Sequence, residues 1–133
     1  PPLGFFPKFL VEEDGENKDT FDIKTRALMP LIDAARLLVL SQNIKGVNNT
    51  YMRYKQLAVA DPKNSELFLN CAEAFLTLSE FRTVEGLKND SNGQFINLEE
   101  LSKTDKVKLK NCFIPIKELQ ELIKNKFKLT YFS

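Results

Sequence analysis

The sequence predicts a mainly α-helical domain, a four-helix bundle with an N-terminal β-hairpin or ribbon. Three observations predict it. Apolar residues recur at steps of three and four in separated stretches of the chain. Breaks rich in Asn, Gly and Pro divide those stretches. Pro1, Pro2 and Pro7 bar a helix from the first residues, where Phe5, Phe6 and Phe9 need covering. With 133 residues, 43% of them hydrophobic, the chain is long enough for one domain with a real core. Residues 1–24 read as the extended ribbon and 25–128 as the bundle, one domain over 1–133.

In chain order, FLVEEDGENKDTFDIK reads as a β-hairpin or long turned ribbon, with Asp14-Gly15 supplying the turn chemistry. A two-stranded ribbon is marginal alone and has to pack on something. The first helix is expected from about Arg26 to Gln42: Leu28, Leu31, Ile32, Ala35, Leu38 and Val39 recur at helical spacing. Pro30 suits its first turn, where a missing N–H costs nothing. Asn49 or Thr50 is a good N-cap for a second helix, Tyr51 to about Ala60, and Asp61-Pro62 breaks the chain again. A third helix runs from about Ser65 to Lys88, with Phe68, Cys71, Phe75 and Leu78 as its packing seam and Arg82 one step further along. NDSNGQFIN reads as a polar loop. Ser102 with Asp105 resembles a capping box for a last helix, about Lys103 to Lys128, which Pro115 should kink.

Charge and composition narrow the function. Lys plus Arg is 19 and Asp plus Glu is 18, so the net charge of +1 predicts no general affinity for nucleic acid. Acidic residues crowd 12–16 and lysines load 103–128; the lysine series is a solvated helix face or a basic docking surface. Cys71 and Cys112 lie in apolar helical surroundings without CxxC spacing, as buried free thiols of a reducing cytoplasm would. No apolar run approaches the ~18 residues of a membrane span, and no secretory leader opens the chain, so a cytoplasmic location is expected. The start at Pro1 suggests a domain excised from the C-terminus of a larger protein.

Catalytic patterns are missing from the sequence. Without any histidine, Ser/His/Asp and Cys/His nucleophilic arrangements cannot be built. There is no GxGxxG or GxxxxGK[ST] phosphate loop. The neighbouring carboxylates Glu12-Glu13 and Glu99-Glu100 sit in turn-like sequence, a poor setting for an acid/base pair. The chain by itself is expected not to be an enzyme, with no catalytic residue, metal or cofactor.

PPLGFF, FLVEEDGENKDTFDIK, LMPLIDAARLLVL, NNTYMRY, AEAFLTLSEFR and LEELSK with LQELIKNKF follow one another from Pro1 to about Phe127. In that order and spacing they resemble the nucleotidyltransferase substrate-binding domain family. The resemblance implies a helical bundle like the C-terminal half of kanamycin nucleotidyltransferase. It also implies a place at the end of bacterial signal-transduction proteins that carry cyclic-nucleotide-binding, CBS and PII-uridylyltransferase-like nucleotidyltransferase domains. Carried over by position are Asp22 and Lys24 at the strand end, Pro30, Asp33 and Arg36 at the helix start, Asn49-Thr50 with Arg53, then Arg82 and Gln120.

Lys24, Arg26, Arg36, Arg53 and Arg82 are thus the candidate substrate-binding residues, with Asp22, Asp33 and Gln120 as structural polar groups. Each keeps an alternative. Lys24 and Arg26 either meet phosphates, or pair with Asp22 or the acidic hairpin, or are solvated. Asp33 and Arg36 form at least an intrahelical pair worth ~0.2–0.5 kcal/mol. Arg82 either clasps Asp33 across the bundle, faces substrate, or ends a helix in solvent. Tyr51 and Tyr54 are core edge or a stacking platform for a base. The expected role is a non-catalytic substrate-binding or regulatory wall of a cleft completed by an N-terminal nucleotidyltransferase-like domain of the same chain, taking a nucleotide or a protein substrate. The alternative is a helical interaction module that relays signals without touching substrate. Exposed Phe5, Phe6 and Phe9 would then favour a homodimer.

Overall fold

Four helices close a ring around the core: α1 (Met29–Ser41) lies beside α2 (Thr50–Ala60), α2 beside α3 (Ser65–Asn89), α3 beside α5 (Phe113–Phe132), and α5 beside α1. A short α4 (Lys103–Asn111) leads into α5. The structure, a computed structural model, describes residues 11, 12, 15 and 17–132, with side chains to residue 128. The expectations for Phe5, Phe6, Phe9 and Asp14 lie outside the described residues. Among those described, no helix is long and apolar enough to cross a membrane.

Within the described residues the end of the ribbon pairs as expected, and it has a partner that the sequence did not announce. Val11 bridges Phe21, and Glu12 exchanges backbone hydrogen bonds with Asp19 and Thr20 at 2.8 and 2.9 Å. Gly15 takes φ +81°, the left-handed conformation the turn requires. The other edge of β1 (Thr20–Asp22) pairs antiparallel with β2 (Phe95–Asn97), in register Phe21 to Ile96. Both of those side chains are buried. β2 lies within the stretch expected to be a polar loop.

The first helix starts differently from the expected continuous Arg26–Gln42 element. Pro30 cannot donate, and in an α-helix its ring would crowd the carbonyl four residues back, that of Arg26. The chain winds wider there. Lys24–Leu28 is a π-helical turn, with the Met29 N–H reaching back to the Lys24 carbonyl, and α1 proper follows with Pro30 in its first turn. The stripe of Leu31, Ala34, Ala35, Leu38 and Val39 then faces the core. Asn49 caps α2 by accepting from the Met52 N–H at 2.8 Å. Tyr54, fully buried, donates its hydroxyl to the Leu31 carbonyl and ties α2 to α1. Burial pushes that hydroxyl's pKa up, with Cys71 adding to the shift. Tyr51 is half-buried with the Lys55 ammonium 5.7 Å from its ring centroid. These contacts make the pair packing residues.

The expected single last helix is two. Ser102 caps α4 as anticipated, accepting from the Asp105 N–H at 3.0 Å. Pro115 cannot supply the bond to the Asn111 carbonyl, so the helix is interrupted at Cys112 and restarts with the proline in its first turn, where it is tolerated. Phe113 then meets Phe21 edge to face, ring centroids 5.5 Å apart, joining α5 to β1.

Between α3 and β2 the chain turns back on itself. Asp90 adopts φ +49° and closes α3, the Ser91 N–H returning to the Gly86 carbonyl at 2.9 Å. Gly93, at φ +72°, packs so closely that a Cβ would lie 1.9 Å from the Arg82 carbonyl oxygen. Gly93→Ala should therefore destabilise the domain by about 1–3 kcal/mol from backbone strain, with the clash adding to it. A lowered urea midpoint reads this out, and an unchanged midpoint would contradict the close approach.

The two thiols are buried and free. Burial, then Glu118, pushes Cys71 up from 9.0 to about 12. Burial pushes Cys112 up to about 11 against the opposing pull of Lys108. Both are thus neutral in the fold, whereas the unfolded chain ionises them near their ordinary 9.0. Their contribution to stability is complete below that pH and is lost as pH rises toward about 11 and then about 12. Denaturation midpoints should fall above pH 9, and a thiol reagent should label the native protein at least an order of magnitude more slowly than the unfolded chain.

Candidate functional site

The corner where β1 turns into α1 is built around one carboxylate. Asp22 is only 8% exposed. Its Oδ1 accepts from the Thr25 N–H at 2.9 Å, satisfying a donor of the opening helical turn. Its two oxygens also accept from the Gln94 side-chain amide at 3.3 and 3.2 Å. The Ile23 N–H donates to the Gln94 carbonyl at 2.9 Å, so Gln94 is held at both ends. Arg26, four residues along, reaches Glu12 of the ribbon at 3.4 Å, with both side chains partly exposed. Of the readings open for Arg26, pairing with the acidic hairpin is the one realised. Lys24 is half-buried on the same turn and, among the described residues, has no partner.

Arg82 does not clasp Asp33. Its Nε donates to the Asn92 carbonyl at 2.9 Å, while Asp33 stands exposed on α1. The reason is local: the close turn at Gly93 folds the loop onto the last turns of α3, putting a carbonyl nearer to the guanidinium than α1 is. Asp22 and Arg82, 60 positions apart in sequence (82 − 22), therefore grip the same loop, one at Gln94 and the other at Asn92. Arg82, Thr83, Gly86, Leu87, Ser91 and Asn92 border an open groove of about 440 Å³ at this end of α3.

The remaining candidates do not converge on that corner. Arg36 is exposed on α1, and Asp33 and Arg36 are not within ion-pair distance of one another. From Lys24 to Arg36 is twelve residues, roughly 18 Å along a helix axis, too far to share one phosphate. Arg53 is half-buried in the first turn of α2, and Gln120 is exposed on α5. Among the described residues there is no group of three His, Cys, Asp or Glu side chains placed to hold a metal ion. Sequence reasoning missed Gln94 and Asn92. The stretch reads only as a polar loop, and nothing local says that the Asn92 carbonyl meets Arg82 or that Gln94 meets Asp22.

The family described as putative nucleotidyltransferase substrate binding domain has a model that matches residues 1–127. The chain belongs to this family. No curated protein and no solved structure shows a significant match. Within the nucleotidyltransferase substrate-binding domain, the candidate cations now divide into two sets. Arg26 and Arg82 are engaged in holding the ribbon and the 92–94 loop. Lys24, Arg36 and Arg53 have no partner among the described residues.

Asp22→Ala should cost about 1–2 kcal/mol, since it strips a cap from the helical turn and leaves the Gln94 amide unanswered. Arg26→Ala should cost less than about 1 kcal/mol, because an exposed pair contributes little. Thermal melts of the two variants side by side check the order, and a larger loss for Arg26→Ala would reverse the roles given to these residues.

Proposed function

We propose that this domain is the non-catalytic wall of a substrate cleft, completed by a nucleotidyltransferase-like domain preceding it in the same chain of a cytoplasmic signal-transduction protein. It carries no catalytic residue in this reading; it presents cations to a nucleotide or to a protein acceptor. The observation that carries it is Lys24. Lys24 is half-buried, has no partner among the described residues and sits on a turn anchored by Asp22, so its charge is held in place and available to something that docks beside it. Membership of a family described by substrate binding supports the same reading.

A second reading has its own support. Lys24, on the π-helical turn, and Arg36, on α1, are too far apart to grip one anion, and Arg53 belongs to another helix. That spacing suits a module that relays position between domains and touches no substrate.

Single alanine variants at Lys24, Arg36 and Arg53, made in the protein that carries the catalytic domain, separate the two. The cleft reading expects Lys24→Ala to lower nucleotide transfer by about tenfold or more, equivalent to about 1.4 kcal/mol, with an unchanged melting temperature. If transfer is untouched in all three variants while each remains folded, the substrate-binding reading fails and the relay module stands.

A further inference from the structure

Between α3 and the α4–α5 pair runs a channel distinct from the Lys24 corner. Its wider part, about 400 Å³, lies between Glu73 and Thr77 of α3 and Cys112, Pro115 and Glu118 opposite. Its narrower part, about 80 Å³, lies between Glu80, Phe81 and Val84 of α3 and Asp105. Thr77 and Lys108 line both, so the two form one trough. Asn70, Glu73, Thr77, Glu80 and Val84 recur at steps of three and four, one face of α3 roughly 21 Å long. The trough is open because α4 contributes a single buried side chain, Leu109, and runs on into α5 with few contacts to α3. Four carboxylates line it (Glu73, Glu80, Asp105 and Glu118) against one ammonium, Lys108. Its apolar lining includes Ala74, Phe81, Cys112 and Pro115.

The complement to this trough is on the same chain. Cys112 keeps helical dihedrals (φ −65°, ψ −24°), so the helical phase carries from α4 into α5. Lys103, Val107, Ile114, Lys117 and Lys124 then fall on one exposed face at steps of four, seven, three and seven. Val107 and Ile114 stand out of it at 45% and 58% exposure, apolar residues between lysines. Ile114 also lines the trough, so ridge and trough share an edge. A surface with adjacent complementary halves closes on a copy of itself about a two-fold axis.

We propose that two copies of this chain associate through this face, each laying its lysine ridge over the acidic trough of the other. The contact sets Lys103, Lys117 and Lys124 against Glu73, Glu80 and Glu118, and directs Val107 and Ile114 toward the apolar lining. It is independent of the substrate reading, which concerns the turn that opens α1.

Sedimentation velocity of the chain at low and high salt tests it, with charge reversals on exposed residues and melting curves to verify folding. The wild-type chain should dimerise, and screening by salt should weaken the dimer by about tenfold or more. Glu73→Lys with Glu80→Lys, and separately Lys117→Glu with Lys124→Glu, should each abolish self-association, and mixing the two variants should restore a heterodimer. Four outcomes overturn the proposal: a wild-type chain monomeric at several hundred micromolar in low salt; dimers indifferent to both charge reversals; no recovery on mixing; or a monomer whose trough binds a lysine-rich amphipathic peptide instead.

Discussion

A carboxylate that is almost wholly withdrawn from water must have its oxygens answered, and Asp22 has them answered from two directions. The Thr25 amide belongs to the turn that launches α1; the Gln94 amide belongs to the segment leading out of α3. One side chain thereby fixes the angle at which the ribbon meets the first helix and the position of the strand that completes the sheet. The apolar contacts above it depend on that fixing. Phe21 can lie against Ile96 on one side and Phe113 on another only if β1, β2 and α5 converge on this corner. Arg82 completes the arrangement from the far side of the loop, and Gly93 allows the approach because it has no side chain to obstruct it.

The helices were legible because their signals are local. Phe68, Cys71 and Leu78 are buried as their spacing demands, and Asn49 and Ser102 cap where a short polar side chain precedes an apolar period. Pro115 was legible as a disturbance, and the structure turns it into an interruption at Cys112 because a proline is better placed in a new first turn than in the middle of an old helix. β2 was not legible. Three residues carry no period, and what makes them a strand is a partner many residues away. The same limit hid Gln94 and misdirected Arg82. A guanidinium on an apolar seam announces that it needs an acceptor, but sequence alone favoured a charged residue on another helix over a backbone carbonyl ten positions along.

For the site, the sequence assembled a set of cations and the fold sorted them. Arg26 and Arg82 turned out to be structural, each answering a group on a neighbouring segment. Among the described residues, Lys24 was left without a partner. The distinction is electrostatic: an engaged charge has already exchanged its water for a partner, whereas an unengaged one at a fixed position keeps its field for whatever docks beside it. The family relationship makes a substrate a reasonable candidate for that role, and the separation of Lys24 from Arg36 limits how small such a substrate can be if both are to touch it.

The pairing of β1 with β2 also sets a schedule. Thr20 and Asn97 face each other across 77 positions of chain (97 − 20), whereas the other edge of β1 meets Val11 and Glu12 close by. On a ribosome, which releases the amino end first, the local half of the ribbon emerges early, and the far edge of β1 has no partner strand until the third helix and the strand beyond it have emerged. Until then that edge offers unpaired amides to any passing strand, and the ring of helices closes only later still, when α5 emerges behind β2.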